Sequence, residues 1–239
     1  MPQIELLHTD CMSYMASLPD KAFDLAIVDP PYGIGMDNQR VRVKPNRPNT
    51  YARAGDLQYR SAGAWDDSRP DPEYFNELFR VSQYQIIWGA NYFCEHLPSG
   101  KGWIYWDKQM GEGNGFSTGE FAYQSIQQRS NSFSEPSMRV AGTRIHPTQK
   151  PVALYRWLLK NYAKPGQRIL DTHLGSGSIA IACDLEGFDL VGCEIDADYI
   201  KAARHRLAVH LSAPRLFEAT PAELPQQLSL GDDVLSDGT

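Results

Sequence analysis

The sequence predicts an α/β protein built on a doubly wound, mostly parallel sheet with helices on both faces, and three observations predict it. Arg168–Asp171, Ser178–Glu186, Leu190–Glu194 and Asp196–Leu211 read in turn as strand, helix, strand and helix, the repeating unit of a parallel sheet. Phe23–Val28 is a compact, mostly apolar run, the pattern of a strand covered on both faces. Thr172–Gly177 joins a strand to a helix through two glycines, the kind of turn at which a Rossmann-like fold admits a ligand.

The remaining elements follow in chain order. Ile4–Leu7 is a short strand, and Asp10 caps a helix that runs to about Leu18. After Phe23–Val28 come Asp29, Pro30, Pro31 and Tyr32; two prolines forbid a helix and make the strand's exit rigid. From Gly33 to Asp67 apolar periodicity is lost, which predicts a long loop with a use. Asp71-Pro72 opens a helix whose face is Tyr74, Phe75, Leu78 and Phe79. Gln85–Trp88 and Trp103–Trp106 read as strands, and Thr148 starts a helix ending near Tyr162. Residues 1–211 form one domain, residues 108–147 are a small inserted region, and residues 212–239 are an acidic, partly disordered tail.

Composition excludes several classes. An apolar fraction of 42% supports a buried core, while the longest unbroken apolar run, Ile179–Cys183, is far too short to cross a bilayer. No basic flank followed by an apolar stretch opens the chain, so a cytoplasmic protein without membrane contact is expected. Cysteines at 11, 94, 183 and 193 make no Cys-x-x-Cys pair, and no histidine has ligand spacing with them, so no metal is assigned. The net charge of −6 hides an asymmetry: residues 216–239 hold five acids and no Lys or Arg. Between Gln39 and Arg60 stand Arg40, Arg42, Lys44, Arg47, Arg53 and Arg60 against Asp56 alone. Tyr51 and Tyr59 lie among them, a composition suited to phosphates and to the gap left by an extruded base.

Two segments carry chemistry. Glu194 ends the strand after the glycine turn, 23 residues beyond Asp171, where an acid accepts the hydroxyl hydrogens of a ribose. The third glycine of the dinucleotide fingerprint is absent, which suits an adenosine carrying no phosphate. At Asp29-Pro30-Pro31-Tyr32, the carboxylate and the proline-held carbonyl of Pro30 offer two acceptors, and Tyr32 offers a flat face for a base. Acceptors aimed at an amino group's hydrogens favour a pyramidal nitrogen whose lone pair meets a methyl group.

Together with His146-Pro147-Thr148-Gln149-Lys150-Pro151 and Asp171 through Ser178, these segments resemble the S-adenosylmethionine-dependent DNA amino-methyltransferases in which the catalytic motif precedes the cofactor motif. Asp10-Cys11 and Trp106-Asp107-Lys108 fit the same pattern, which spans residues 8 to about 207. The resemblance implies transfer to the N6 amino group of a flipped adenine in a specific site of double-stranded DNA, since the aspartate form of the motif usually accompanies adenine. It implies a cofactor site formed by Asp10 near the adenine, Glu194 on the ribose, and Asp171, His173, Gly175, Ser176, Gly177 and Ser178 around the turn. Thr148 and Lys150 would meet the methionine carboxylate. Residues 33–70 become the DNA-facing loop, and 108–147 the region that reads the target. A homodimer is often found in this arrangement, and a restriction endonuclease is a conceivable companion. Thr172 and His173 depart from the family's Asp-Pro-Phe; His173 either stacks on adenine or makes no ligand contact. Cytosine N4, RNA, or a catalytically weak nucleic-acid-binding module of the same fold are the alternatives.

Overall fold

A computed structural model describes residues 1–34, 66, 68–99, 101–110, 117–136, 145–146 and 148–213. Arg40, Arg42, Lys44, Arg47, Arg53 and Arg60, most of the 33–70 loop and the 212–239 tail beyond residue 213 lie outside them.

Among the described residues, eight strands form one sheet in the order β1-β8-β7-β2-β3-β5-β4-β6. They are β1 (Ile4–His8), β2 (Phe23–Val28), β3 (Ser82–Trp88), β4 (Gly102–Asp107), β5 (Gly119–Gln124), β6 (Asn131–Ser134), β7 (Arg168–Asp171) and β8 (Asp189–Glu194). Among the described residues, the α-helices that accompany them are α1 (Cys11–Ala16), α2 (Pro72–Val81), α3 (Val152–Tyr162), α4 (Ser178–Glu186) and α5 (Ala197–Ser212). Every pairing is parallel except the two made by β5, which runs against β3 and β4.

The alternation of side chains along a strand divides the core in two. Leu25 and Ile27 of β2, Ile86 and Trp88 of β3 and Ile169 of β7 pack with α3, α4 and α5. Ala26 and Val28, Ile87 and Leu170 pack with α1 and α2 on the other face. Burial on both faces explains why β2 reads as an apolar run rather than as an alternating strand.

Most expected elements are present within a residue or two; β2, β7 and α4 have the expected bounds. The helix expected from Thr148 begins at Val152, because Pro151 holds an extended backbone as its N-cap. Residues 108–147 require correction. Their middle supplies β5 and β6, two strands of the main sheet, so they are not a separate insertion. Glycine, serine and glutamine around these strands mask their pattern.

Four neighbouring strands, β1, β8, β7 and β2, deliver acids to one edge of the sheet. Glu194 ends β8 opposite His8, Asp171 ends β7 opposite Gly192, and Asp10 and Asp29 follow β1 and β2. The carboxyl edge of such a sheet is where ligands of these folds bind.

Candidate active site

One cavity opens at that edge, enclosing about 900 Å³ of space that includes its open mouth. Asp10, Asp29, Pro31, Thr148, Lys150 and Glu194 are in its wall. His173, Gly175 and Ser176 complete the contribution of the glycine turn. The early and late motifs, more than 140 residues apart in the chain, therefore share a single space.

Glu194 is held from both sides. Its Oε2 accepts the Gly175 N–H at 2.8 Å and its Oε1 accepts the Asp196 N–H at 2.9 Å. Burial raises its carboxyl, and these backbone donors pull it partly back. Each oxygen keeps a lone pair for a further donor. Asp10 spends Oδ1 on the Ser13 N–H and hydroxyl, as the cap of α1.

The glycine turn divides in its duties. Gly175 and Ser176 face the cavity, whereas Asp171, Gly177 and Ser178 do not. Asp171 accepts the His173 N–H at 3.0 Å, and its burial pushes its carboxyl up to about 8. Ser178 takes a hydrogen bond from Arg206 at 2.8 Å. Gly177 has φ +68°, and a Cβ there would stand 3.1 Å from the Cβ of Ala203, so this glycine lets α4 approach α5. All three support the turn from outside the cavity wall. The His173 ring sits edge-on to Tyr74, its Nδ1 2.9 Å from the Thr172 hydroxyl, and burial lowers its imidazole to about 4.

Around Asp29 the arrangement departs further from expectation. The Tyr32 hydroxyl donates to Asp29 Oδ1 at 2.5 Å, and the Lys150 ammonium donates to Oδ2. One face of Tyr32 is stacked on Tyr92, with centroids 5.1 Å apart, so that face is not open to a base. Gly89, at φ +67°, makes room for the ring: a Cβ there would fall 2.1 Å from Tyr32. Lys150 also faces Glu120 at 3.1 Å and the Trp88 ring at 5.3 Å. Lys150, at 2% side-chain exposure, is thus held between two carboxylates while it still lines the cavity. Burial raises Asp29, opposed chiefly by Lys150. Pro30 is buried, and Pro31 after it lines the cavity.

Sequence reasoning missed two acids here. Asp66, 1% exposed, accepts the N–H groups of Tyr32 and Gly33 at 2.7 and 2.9 Å and so pins the strand's exit. Glu120 belongs to the region read as an insertion. Neither lies in a motif, and only chain folding brings them close. Gln149 was quoted in its motif without a role; among the described residues its buried Nε2 has no hydrogen-bond partner, and the residue lines the cavity.

A doubly wound sheet with a nucleoside-type turn and an acid-proline-proline-tyrosine exit in one cavity defines the class of amino-methyltransferases. A family model described as DNA methylase, of the N6/N4 type, matches residues 83–205, half of the chain; the chain belongs to this family. YubD of Escherichia coli (strain K12), a protein named as a methylase, is 26% identical over 226 residues, covering 83% of this chain and 88% of its own. The crystal structure of an M1.HpyAVI–SAM complex is similar with a TM-score of 0.56 at 20% identity, covering 86% of this chain and 99% of that one. PvuII DNA methyltransferase, named as cytosine-N4-specific, has a TM-score of 0.57 at 12% identity and 86% coverage of both chains.

The methyl donor of this family is S-adenosylmethionine, and the cavity suits it. Glu194 has lone pairs for a diol, Ile195 beside it is 65% exposed as an apolar surface for a ring, and the Gln149 amide is a buried donor with no partner among the described residues. Among the described residues no group of His, Cys, Asp and Glu is placed to hold a metal, and no helix is long and apolar enough to cross a membrane.

Proposed function

We propose that this protein transfers a methyl group to the N6 amino group of an adenine flipped out of double-stranded DNA. The observation that carries the reading is the presence of Asp29 and Glu194 in the wall of one cavity. When bound, S-adenosylmethionine supplies an electrophilic methyl on a cationic sulfur. Glu194 receives the ribose hydroxyls, Gly175 and Ser176 border the donor's amino-acid end, and Asp10 and His173 lie toward its adenine. Thr148 and Lys150 would meet its carboxylate, joined by the Gln149 amide.

Asp29 and the Pro30 carbonyl accept the two hydrogens of the substrate amine, and Pro31 keeps that carbonyl from turning away. Held this way, the nitrogen presents its lone pair without prior loss of a proton. Tyr32 and Lys150 hold Asp29 in place; ionisation of so buried a carboxylate depends on the cation. The basic residues from Arg40 to Arg60 follow the phosphates, and extrusion of the base brings its amine to the cavity.

Adenine is favoured by the aspartate in the motif. The test is incubation of the purified chain with labelled S-adenosylmethionine and DNA, followed by nucleoside digestion and mass spectrometry. Label in N6-methyladenosine of the deoxy series is the expected product. Label confined to N4-methylcytosine would replace the base assignment, and transfer to RNA alone would replace the partner.

A further inference from the structure

Glu120 stands second in β5, the one strand that runs against its neighbours. Because β5 is reversed, its first residues lie at the edge where the parallel strands end, beside Asp29. The Glu120 Oε1 pairs with Lys108 Nζ at 2.5 Å, and Oε2 lies 3.1 Å from Lys150 Nζ without hydrogen-bond alignment. Lys150 meets Asp29 on its other side. Asp29, Lys150, Glu120 and Lys108 thus alternate in sign as a balanced chain of four charges. Exposure runs from 2% at the Lys150 side chain to 21% at that of Glu120.

Charges so deeply placed cost desolvation that apolar residues would avoid, so stability alone does not account for them. Lys150 faces two opposed demands. Without a cation, burial would protonate Asp29; with the whole of one, its carboxylate would be spent on the ammonium and accept a substrate hydrogen poorly.

We infer that Glu120 is a positioning residue for methyl transfer, sharing the Lys150 ammonium so that Asp29 stays ionised yet available to the substrate amine. This rests on the reading of Asp29 given above. The directions agree: burial and Glu120 raise Asp29, while Lys150 lowers it. Glu120 itself ends below the ordinary range, because Lys150 and Lys108 together outweigh its burial. The other groups facing Asp29 are the Tyr32 hydroxyl in contact, with Asp171, Tyr155 and Tyr74 at longer range.

The test follows the Asp29 carboxyl by ¹³C NMR in the full chain, assigned with Asp29→Asn, beside steady-state methyl transfer. Glu120→Gln is expected to lower the Asp29 midpoint by about half a pH unit or more, since it removes a nearby negative charge. Its kcat should fall about tenfold with KM for DNA and cofactor affinity held, the scale of one hydrogen bond weakened in the transition state. Glu120→Asp, which keeps the charge, should recover the wild-type midpoint. Lys108→Met should move the midpoint upward, and it serves if Glu120→Gln does not fold. A midpoint that stays put in these variants, or an unchanged kcat in Glu120→Gln, would overturn the inference. Midpoints that move as stated while wild-type chain methylates no DNA would instead strike the methyl-transfer reading and leave control of Asp29 by Glu120 standing.

Discussion

Asp29 and Glu194 are carboxylates in one cavity, and their partners set them different tasks. Glu194 is fixed by backbone N–H groups, which do not move with protonation or binding. Asp29 is fixed by side chains that carry or share protons. Their substitutions should therefore separate. Asp29→Ala is expected to lower methyl transfer by at least about a hundredfold, as loss of a preorganised acceptor does, with cofactor affinity held. Glu194→Gln is expected to weaken cofactor binding roughly 10- to 100-fold, the worth of hydrogen bonds to a charged group. Titration calorimetry and single-turnover labelling read the two effects independently. Asp171 gives a stability signature. Its folded carboxyl at about 8 stands above the usual unfolded value of about 3.9, so the native state holds the extra proton between them. Stability from this group is full below about pH 4 and is lost as pH rises through 8. His173, at about 4, acts oppositely below about pH 6.5, where the unfolded chain binds the extra proton. The window from pH 6.5 to 8 isolates Asp171. There Asp171→Asn, still able to accept the His173 N–H, should remove a decline of up to about 1.4 kcal/mol per pH unit, measured by urea unfolding.

At the scale of elements, the reversed strand and the rigid exits matter most. β5 places Glu120 beside Lys150, while α2 and the turns after β3 bring Tyr74, Tyr92 and Phe93 around the Tyr32 and His173 rings. Gly89 joins β3 to the first of those turns, and its positive φ and missing Cβ are both required. Gly89→Ala should cost about 1–3 kcal/mol in backbone strain and push Tyr32 off Asp29. The expected readout is a loss of methyl transfer much larger than any loss of cofactor affinity. Equal losses of both would mean that the whole sheet edge had shifted. The regular βαβα series from β7 to α5 was legible because β7, α4 and β8 are short, largely apolar runs punctuated by Pro165-Gly166 and Gly187, and Asp196 caps α5. β5 and β6 were not, since Gly119, Gln124 and Asn131 give them little β propensity and pairing with β4 supplies what propensity does not.

For the molecule as a whole, a net charge of −6 sits on a protein whose family acts on DNA. On the proposed reading, contact with phosphates falls to a local basic stretch, of which Arg40, Arg42, Lys44 and Arg47 are the dense part. If four of these charges neutralise phosphates, DNA affinity should fall about a hundredfold from about 50 to about 200 mM salt. Fluorescence anisotropy with a labelled duplex measures it. Replacing all four with Gln should flatten the slope while leaving cofactor binding unchanged.

What the chain order settled by itself were the chemical kinds of residue and their places at strand ends: Asp29 with its prolines, the glycine turn and Glu194. Such features are local, because a proline's fixed φ, a glycine's freedom and a strand's apolar run need only a few neighbouring residues. Which groups would meet was decided by the tertiary structure alone. Folding gave Lys150 to Asp29 and Glu120, closed a face of Tyr32 on Tyr92, and paired Asp171 with the His173 N–H and Ser178 with Arg206. The reason is physical: a buried charge or ring is governed by whatever lies within a few ångströms, and those neighbours come from strands far apart in the chain.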